Sequence, residues 1–252
     1  MNSKDLNLII DGWEFNPREI SVRKIYGDDG RLKLQLRLDL GVLQMEPNGR
    51  PDGTRPFGYE SLLEYYKNLL KDYIQEHHTD EGFILDSNDC AALQREAMQY
   101  YHRYLTNFQL KEYVHVQRDT NRNLEVMDLV KRYASNRNDI NLLEQYRPYL
   151  IMMFTRATAN IHLTEKNYNQ ALADILEGIQ KIEDFFFEYD QGQQLEYSPE
   201  LKFLRVWLRE VEAERPLTLT EQLEKEMERA IAYEEYEQAA LIRDKLNDIL
   251  GK

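Results

Sequence analysis

Between Leu32 and Leu40 every second residue is a leucine, whereas from Tyr59 onward apolar residues return at every third or fourth position. A period of two sends alternate side chains to opposite faces of a strand; a period near 3.6 gathers them on one stripe of a helix. No single regular element satisfies both. The fold class expected is therefore α+β, mostly α, with a small N-terminal β-rich region ahead of a long helical one.

In the β-rich part, Val22 to Tyr26 reads as a strand that turns through Gly27-Asp28-Asp29-Gly30 into the leucine run. The leucines are expected in the core, with Lys33, Gln35 and Arg37 facing water. Gly41 to Met45 is expected to continue that strand beyond a glycine bulge. From Glu46 to Gly58 there are three prolines and three glycines in thirteen residues, which makes an ordered loop. It presents Arg50, Asp52 and Arg55 on turns. One reading is a connector that locks the sheet onto the next helix. The other is a ligand loop, belonging to a binding protein or enzyme whose site lies between the β-rich and helical regions.

The helical part opens with a stripe of Leu62, Leu63, Tyr66, Leu69, Leu70 and Tyr73. After a break near Thr79 to Asn88, Asn88 or Asp89 is placed to cap the next helix. Residues 90 to 190 read as four or more helices. Within them Tyr113-Val114-His115-Val116-Gln117-Arg118-Asp119 aligns on Tyr168-Asn169-Gln170-Ala171-Leu172-Ala173-Asp174, fifty-five positions later, so extra helical material is expected between two similar units. Ala159, Tyr168, Ala171, Ile175 and Gly178 resemble the small-and-aromatic spacing of a tetratricopeptide helix pair, in which small residues let two helices approach. Ser198-Pro199 starts another helix, with Leu201, Leu204, Trp207 or Leu208, and Val211 on its buried face. These signals divide the chain into 1–58, 59–195, 196–216 and 217–252.

The last segment holds two short amphipathic helices. Thr220 is placed to cap the first, whose apolar positions are Leu223, Met227, Ala230 and Ile231. The second, starting near Glu234 or Glu235, offers Ala239, Ile242, Leu246 and Ile249, with Tyr236 and Ala240 beside them. Leu223, Met227 and Ala230, followed by Tyr236-Glu237, Ala239-Ala240, Ile242-Arg243-Asp244 and Leu246, resemble the UvrB/UvrC motif; Tyr236 stands where that motif usually has phenylalanine. The resemblance implies a helical-hairpin module for protein interaction. The layout as a whole resembles bacterial proteins that end in such a motif. Arg243 and Asp244 are expected to pair across a dimer or with Glu237 and Arg229.

Chemistry-bearing patterns are sparse. A net charge of -13 argues against a surface built on phosphate neutralisation, so no direct nucleic-acid contact is expected. One cysteine, Cys90, provides neither a disulfide framework nor a thiolate metal site, and its place near a helix start would lower a thiol's pKa. The five histidines show no metal spacing, and no Gly-rich Walker loop is present. Seventeen tyrosines, including Tyr65-Tyr66, Tyr100-Tyr101 and Tyr104, read as filler between helices. The N-terminus has too short an apolar run for a signal peptide and no membrane span is expected, so the cytoplasm is the expected compartment.

The resulting expectation is a noncatalytic adaptor without cofactor or metal, acting by self-association or a protein partner through residues 217–252. Two other readings stand beside it: a ligand site at Arg50, Asp52 and Arg55, and an accessory factor recruited to DNA repair through a protein partner.

Overall fold

The computed structural model describes residues 5–250, the side chain of Leu250 excepted. After a single helical turn, α1 (Asn7–Ile10), three strands form an antiparallel sheet in sequence order: β1 (Val22–Tyr26), β2 (Leu32–Leu38) and β3 (Gly41–Met45). The register sets Val22 opposite Leu36 and Leu34 opposite Met45. Leu34, Leu36 and Met45 form a buried cluster flanked by Val22, Leu38, Leu43 and Leu110.

Two expectations for this sheet need correction. Gly41–Met45 does not extend β2; the chain reverses at Asp39-Leu40 and returns as a separate strand. Nor do Lys33, Gln35 and Arg37 face water, because all three are buried. Their polar atoms are satisfied sideways. Gln35 accepts from Arg23 at 2.7 Å and donates to Gln44 at 2.9 Å, so a polar ladder crosses all three strands. Arg37 donates to the carbonyls of Trp13 and Gly41 at 2.9 and 3.1 Å. Lys33 pairs with Glu46 and Asp29. The segment holding Trp13, which stacks on Arg23 at 4.0 Å, covers the face that alternation assigns to solvent.

Helices follow: α2 (Leu62–His77), α3 (Ser87–Gln109), α4 (Tyr113–Tyr133), α5 (Arg137–Glu144), α6 (Arg147–Thr164), α7 (Tyr168–Glu188), α8 (Pro199–Glu214), α9 (Leu219–Ala232) and α10 (Tyr236–Leu250). Ser61 caps α2, whose stripe is buried only at Leu62, Leu63 and Tyr66; Leu69 is already exposed. The cap of α3 is Asp86 rather than Asn88 or Asp89. Its carboxylate accepts from Asn88 and Asp89, and Asp89 bonds back to the Asp86 amide, closing a reciprocal box. Ser198 starts α8 and Leu201, Leu204 and Val211 are its buried residues, as the spacing predicts. Compact packing divides the chain into two units between Leu208 and Arg209. No helix among the described residues is long and apolar enough to cross a membrane.

The two segments of the fifty-five-residue echo fall at like places in the chain, without a match to a tetratricopeptide repeat. Tyr113 and Tyr168 each open the second helix of a hairpin, α3–α4 and α6–α7, and α5 is the additional material between them. Both hairpins turn on a lysine in the left-handed region, Lys111 (φ 59°) and Lys166 (φ 60°). In each, the following amide reaches back to a carbonyl five residues earlier, Glu112 to Asn107 and Asn167 to His162, both at 2.8 Å. Within α6–α7, Ala159, Ala171 and Ile175 are buried, and Gly178 lies so close to Thr155 that an added Cβ would stand 2.6 Å from the threonine Cγ2. Small residues let these backbones approach.

The Gly/Pro loop is fastened to the helices by buried charge. Arg103 on α3 forms a two-pronged pair with Asp119 on α4 at 2.7 and 2.8 Å. Its remaining nitrogen donates to the carbonyls of Glu46 and Gly49 at 3.1 and 2.7 Å. Arg118 reaches Pro47 and Asn48, both at 2.9 Å. Buried Glu96 accepts from the Leu62 amide at 2.8 Å and pairs with Arg122, while Tyr100 lies between the guanidiniums of Arg103 and Arg122 at 4.8 and 4.1 Å. One cluster thus ties β3, the loop, α2, α3 and α4.

Because removing one member strands a buried charge and two loop carbonyls, Arg103→Met should lower unfolding stability by about 3–5 kcal/mol, measured by urea denaturation. Exposed Arg55→Ala should stay within about 0.5 kcal/mol in the same assay. Gly178→Ala should cost about 1–3 kcal/mol through overpacking, partly recovered by Thr155→Ala.

Candidate functional site

The unit that follows Leu208 is built from helices too short to be stable as isolated peptides, so their ends are closely specified. Thr218, not Thr220, caps α9. Its hydroxyl accepts the Glu221 amide at 3.2 Å, and the Glu221 carboxylate accepts the Thr218 amide at 2.7 Å. Arg215 forks onto the same carboxylate at 2.5 and 3.1 Å. Three hydrogen-bonding groups therefore anchor one acidic side chain. The Arg215 bonds first, then those from Thr218, hold the Glu221 carboxyl down to about 2. Thr220 lies inside the helix instead, since the box needs its acid three residues beyond the cap.

Between α9 and α10 the chain turns on Glu234, at φ 60°, and the Glu235 amide reaches the Ala230 carbonyl at 2.8 Å. This is the closure seen at Lys111 and Lys166. Ala230, Ala239, Ile242 and Leu246 are buried, while Leu223, Met227 and Ala240 are half-buried. The small Ala230 and Ala239 suit two helices that pack closely. The other apolar positions expected in the stripe are open: Ile231 and Ile249 are 49% and 48% exposed and Tyr236 is 66% exposed. Ile231 directly follows buried Ala230 and is carried about 100° around the helix from it, away from the buried side.

The exposed apolar set is larger than the spacing suggests. Leu219, Tyr233 and Leu241 belong to it, Leu241 being 65% exposed. The signal was present in the sequence: Leu241 sits between Ala240 and Ile242 as one more apolar residue than a single stripe can bury. Carboxylates frame these side chains, including exposed Glu234, Glu235 and Glu237 at the turn. Residues 218–252 carry nine carboxylates and five cationic side chains. Arg243 bonds to its neighbour Asp244 at 2.9 Å rather than to Glu237, and Arg229 lies over Tyr233 at 5.9 Å. Both members of the Arg243–Asp244 pair are exposed and contribute little to stability.

Around the Gly/Pro loop, Arg50 donates to Thr54 at 2.9 Å and lies 3.3 Å from Asp52 and 3.6 Å from Glu96. Asp52 accepts from the Thr54 amide at 2.9 Å and from Gln99 at 3.0 Å. Burial would raise its pKa, but bonds from Thr54 and Gln99 and the Arg50 charge bring it below the usual carboxylate value. Arg55 is exposed. Together with Arg31, Glu46 and Glu60 these arginines border a polar cleft of about 370 Å³. The loop brings the three expected residues close together, but two of them serve internal bonds.

The remaining reactive groups are not assembled. Cys90 is buried, and burial followed by the charges of Asp139, Asp89 and Asp86 pushes its thiol up to about 11, the reverse of the lowering expected from its helix position. Among the described residues no three of His, Cys, Asp and Glu gather as a metal site.

Compared with known families, residues 218–251 match the UvrB/uvrC motif. No curated protein and no solved structure matches the chain.

Since Glu221 titrates near 2 when folded against an ordinary value of 4.5, its stabilising effect is complete above about pH 4.5 and lost as pH falls through about 2. A carboxyl-carbon NMR titration should show that midpoint. Arg215→Leu should raise it towards the ordinary value.

Proposed function

We propose that this protein is a noncatalytic adaptor whose α9–α10 hairpin grips a protein partner. The observation that carries the reading is the coincidence of the motif match at 218–251 with exposed Ile231, Tyr233, Tyr236 and Leu241 on the same hairpin. Exposed tyrosine and leucine on a short helical unit supply the apolar anchors of an interface, and a rim of carboxylates supplies its orientation. The acid excess favours a partner with a basic rim over a second copy of the same hairpin, which would bring like charges together.

In this reading the sheet and the helices up to α7 form the scaffold. The Gly/Pro loop is its clamp: Arg50 and Asp52 are spent on Thr54, Gln99 and Glu96. The protein works in the cytoplasm, and the partner defines the pathway, DNA repair included.

Deleting 218–252 should abolish partner capture from cell extract while leaving the melting temperature of the remainder unchanged. In the full chain, Tyr236→Glu with Leu241→Glu should reduce capture at least as far as a ten-fold affinity loss, about 1.4 kcal/mol. Capture that survives both changes contradicts the reading.

A further inference from the structure

A groove lined by residues of α3, α4, α5 and α6 and by Glu200 of α8 has a volume of about 520 Å³, within the range of about 300–1,000 Å³ typical of small-molecule sites. Its aromatic walls are Tyr101, Tyr104 and Tyr149. The Tyr101 and Tyr104 rings stand 5.4 Å apart at 85°, and Tyr101 and Tyr149 stand 6.5 Å apart at 51°. Met98, Met127 and Leu150 supply apolar lining.

Two features make this more than packing. Tyr104 is only 2% exposed, and its hydroxyl, like those of Tyr101 and Tyr149, bonds to no group among the described residues; the Tyr104 oxygen is not among the buried unpartnered atoms, so it opens on the groove. A tyrosine buried this far ordinarily finds a partner for its hydroxyl. Burial, followed by the neighbouring phenols, pushes Tyr149 up to about 12 and raises Tyr104, so both are neutral donors. The second feature is charge. Glu200 is the one ionisable acid in the lining, and no Lys, Arg or His accompanies it. Its carboxylate accepts from Ser198 at 2.8 Å and has no cationic partner among the described residues. Arg156, whose charge reaches Tyr149, is held over the rings of Phe108 and Phe203 at 4.2 and 4.6 Å.

Ring faces and a carboxylate attract the same kind of ligand. The ring faces and the Glu200 carboxylate carry negative charge, so an anion entering here would be repelled by them, and a fully hydrated metal ion would surrender too much water. An ammonium bearing carbon substituents has less hydration to lose and gains from both the rings and the acid. We propose that this groove binds a small organic cation, a substituted ammonium with an apolar body: Glu200 is its counter-ion, Tyr101, Tyr104 and Tyr149 its walls, and their hydroxyls the partners of any polar group it carries.

The test is a titration of the full chain with benzyltrimethylammonium, followed through the methyl signals of Met98 and Met127 by NMR, with phenylacetate as the anionic counterpart. Expected are saturable shifts at both methionines with the cation and none with phenylacetate at equal concentration. Glu200→Gln should weaken the cation about ten-fold, and Tyr149→Leu several-fold. Should Glu200→Gln alter the thermal melt, Tyr149→Leu and the phenylacetate comparison still decide. Absent or unsaturable shifts, equal binding of phenylacetate, or unchanged affinity in a folded Glu200→Gln protein each overturn the proposal.

Discussion

The pair between Arg103 and Asp119 is the contact on which the body of this protein depends. Both side chains are almost wholly buried, and each prong is within 2.8 Å. Such a pair contributes little net stability compared with apolar side chains of the same volume, since both charges must leave water. What it does provide is position. A guanidinium has five N–H donors in a fixed plane, and those of Arg103 not used on Asp119 hold the carbonyls of Glu46 and Gly49. Leucine at 103 would strand the buried Asp119 carboxylate and leave the loop free to choose among conformations.

That geometry explains why an arginine- and glycine-bearing loop looks functional in sequence and behaves as a fastener in structure. Its prolines and glycines fix where carbonyls point, and Arg103 and Arg118 read those carbonyls as a set. Glu96 does the converse on the other side, accepting the Leu62 amide at the start of α2 while paired with Arg122. Sheet and helices are joined by polar groups because the loop between them has little apolar surface to offer. The apolar cluster on the sheet itself, Leu34, Leu36 and Met45, is small.

Periodicity carried the elements, and side-chain partnership decided the rest. The strand at Val22, the helix at Ser198-Pro199 and the terminal hairpin follow from spacing alone. Caps were legible as residue types but not as positions: Asp86 and Thr218 each win over a nearby candidate because an acid three residues later closes the box. The burial of Lys33, Gln35 and Arg37 was hidden, since alternation assumes one face in water and cannot show that Trp13 and a cross-strand amide ladder cover it. Turns at Lys111, Lys166 and Glu234 were hidden for another reason. Left-handed backbone is usually announced by glycine, and here long polar side chains occupy it. The groove at Tyr104 was invisible because its walls come from separated helices.

The hairpin differs from the body in how its charges are used. Every ionic contact described within it is local: Arg215 with Glu221 six residues on, and Arg243 with the adjacent Asp244. None corresponds to the long-range, buried pairing of Arg103 with Asp119. The buried part is confined to a few residues such as Ala230, Ala239, Ile242 and Leu246, while comparable apolar bulk at Ile231, Tyr233, Tyr236 and Leu241 faces outward. A unit with so small an interior lies at the low end of local stability and gains more from an added surface than a well-filled one does. The acids at the turn then select among surfaces: a basic rim gains from them, whereas an acidic one must pair apolar groups against like-charge repulsion.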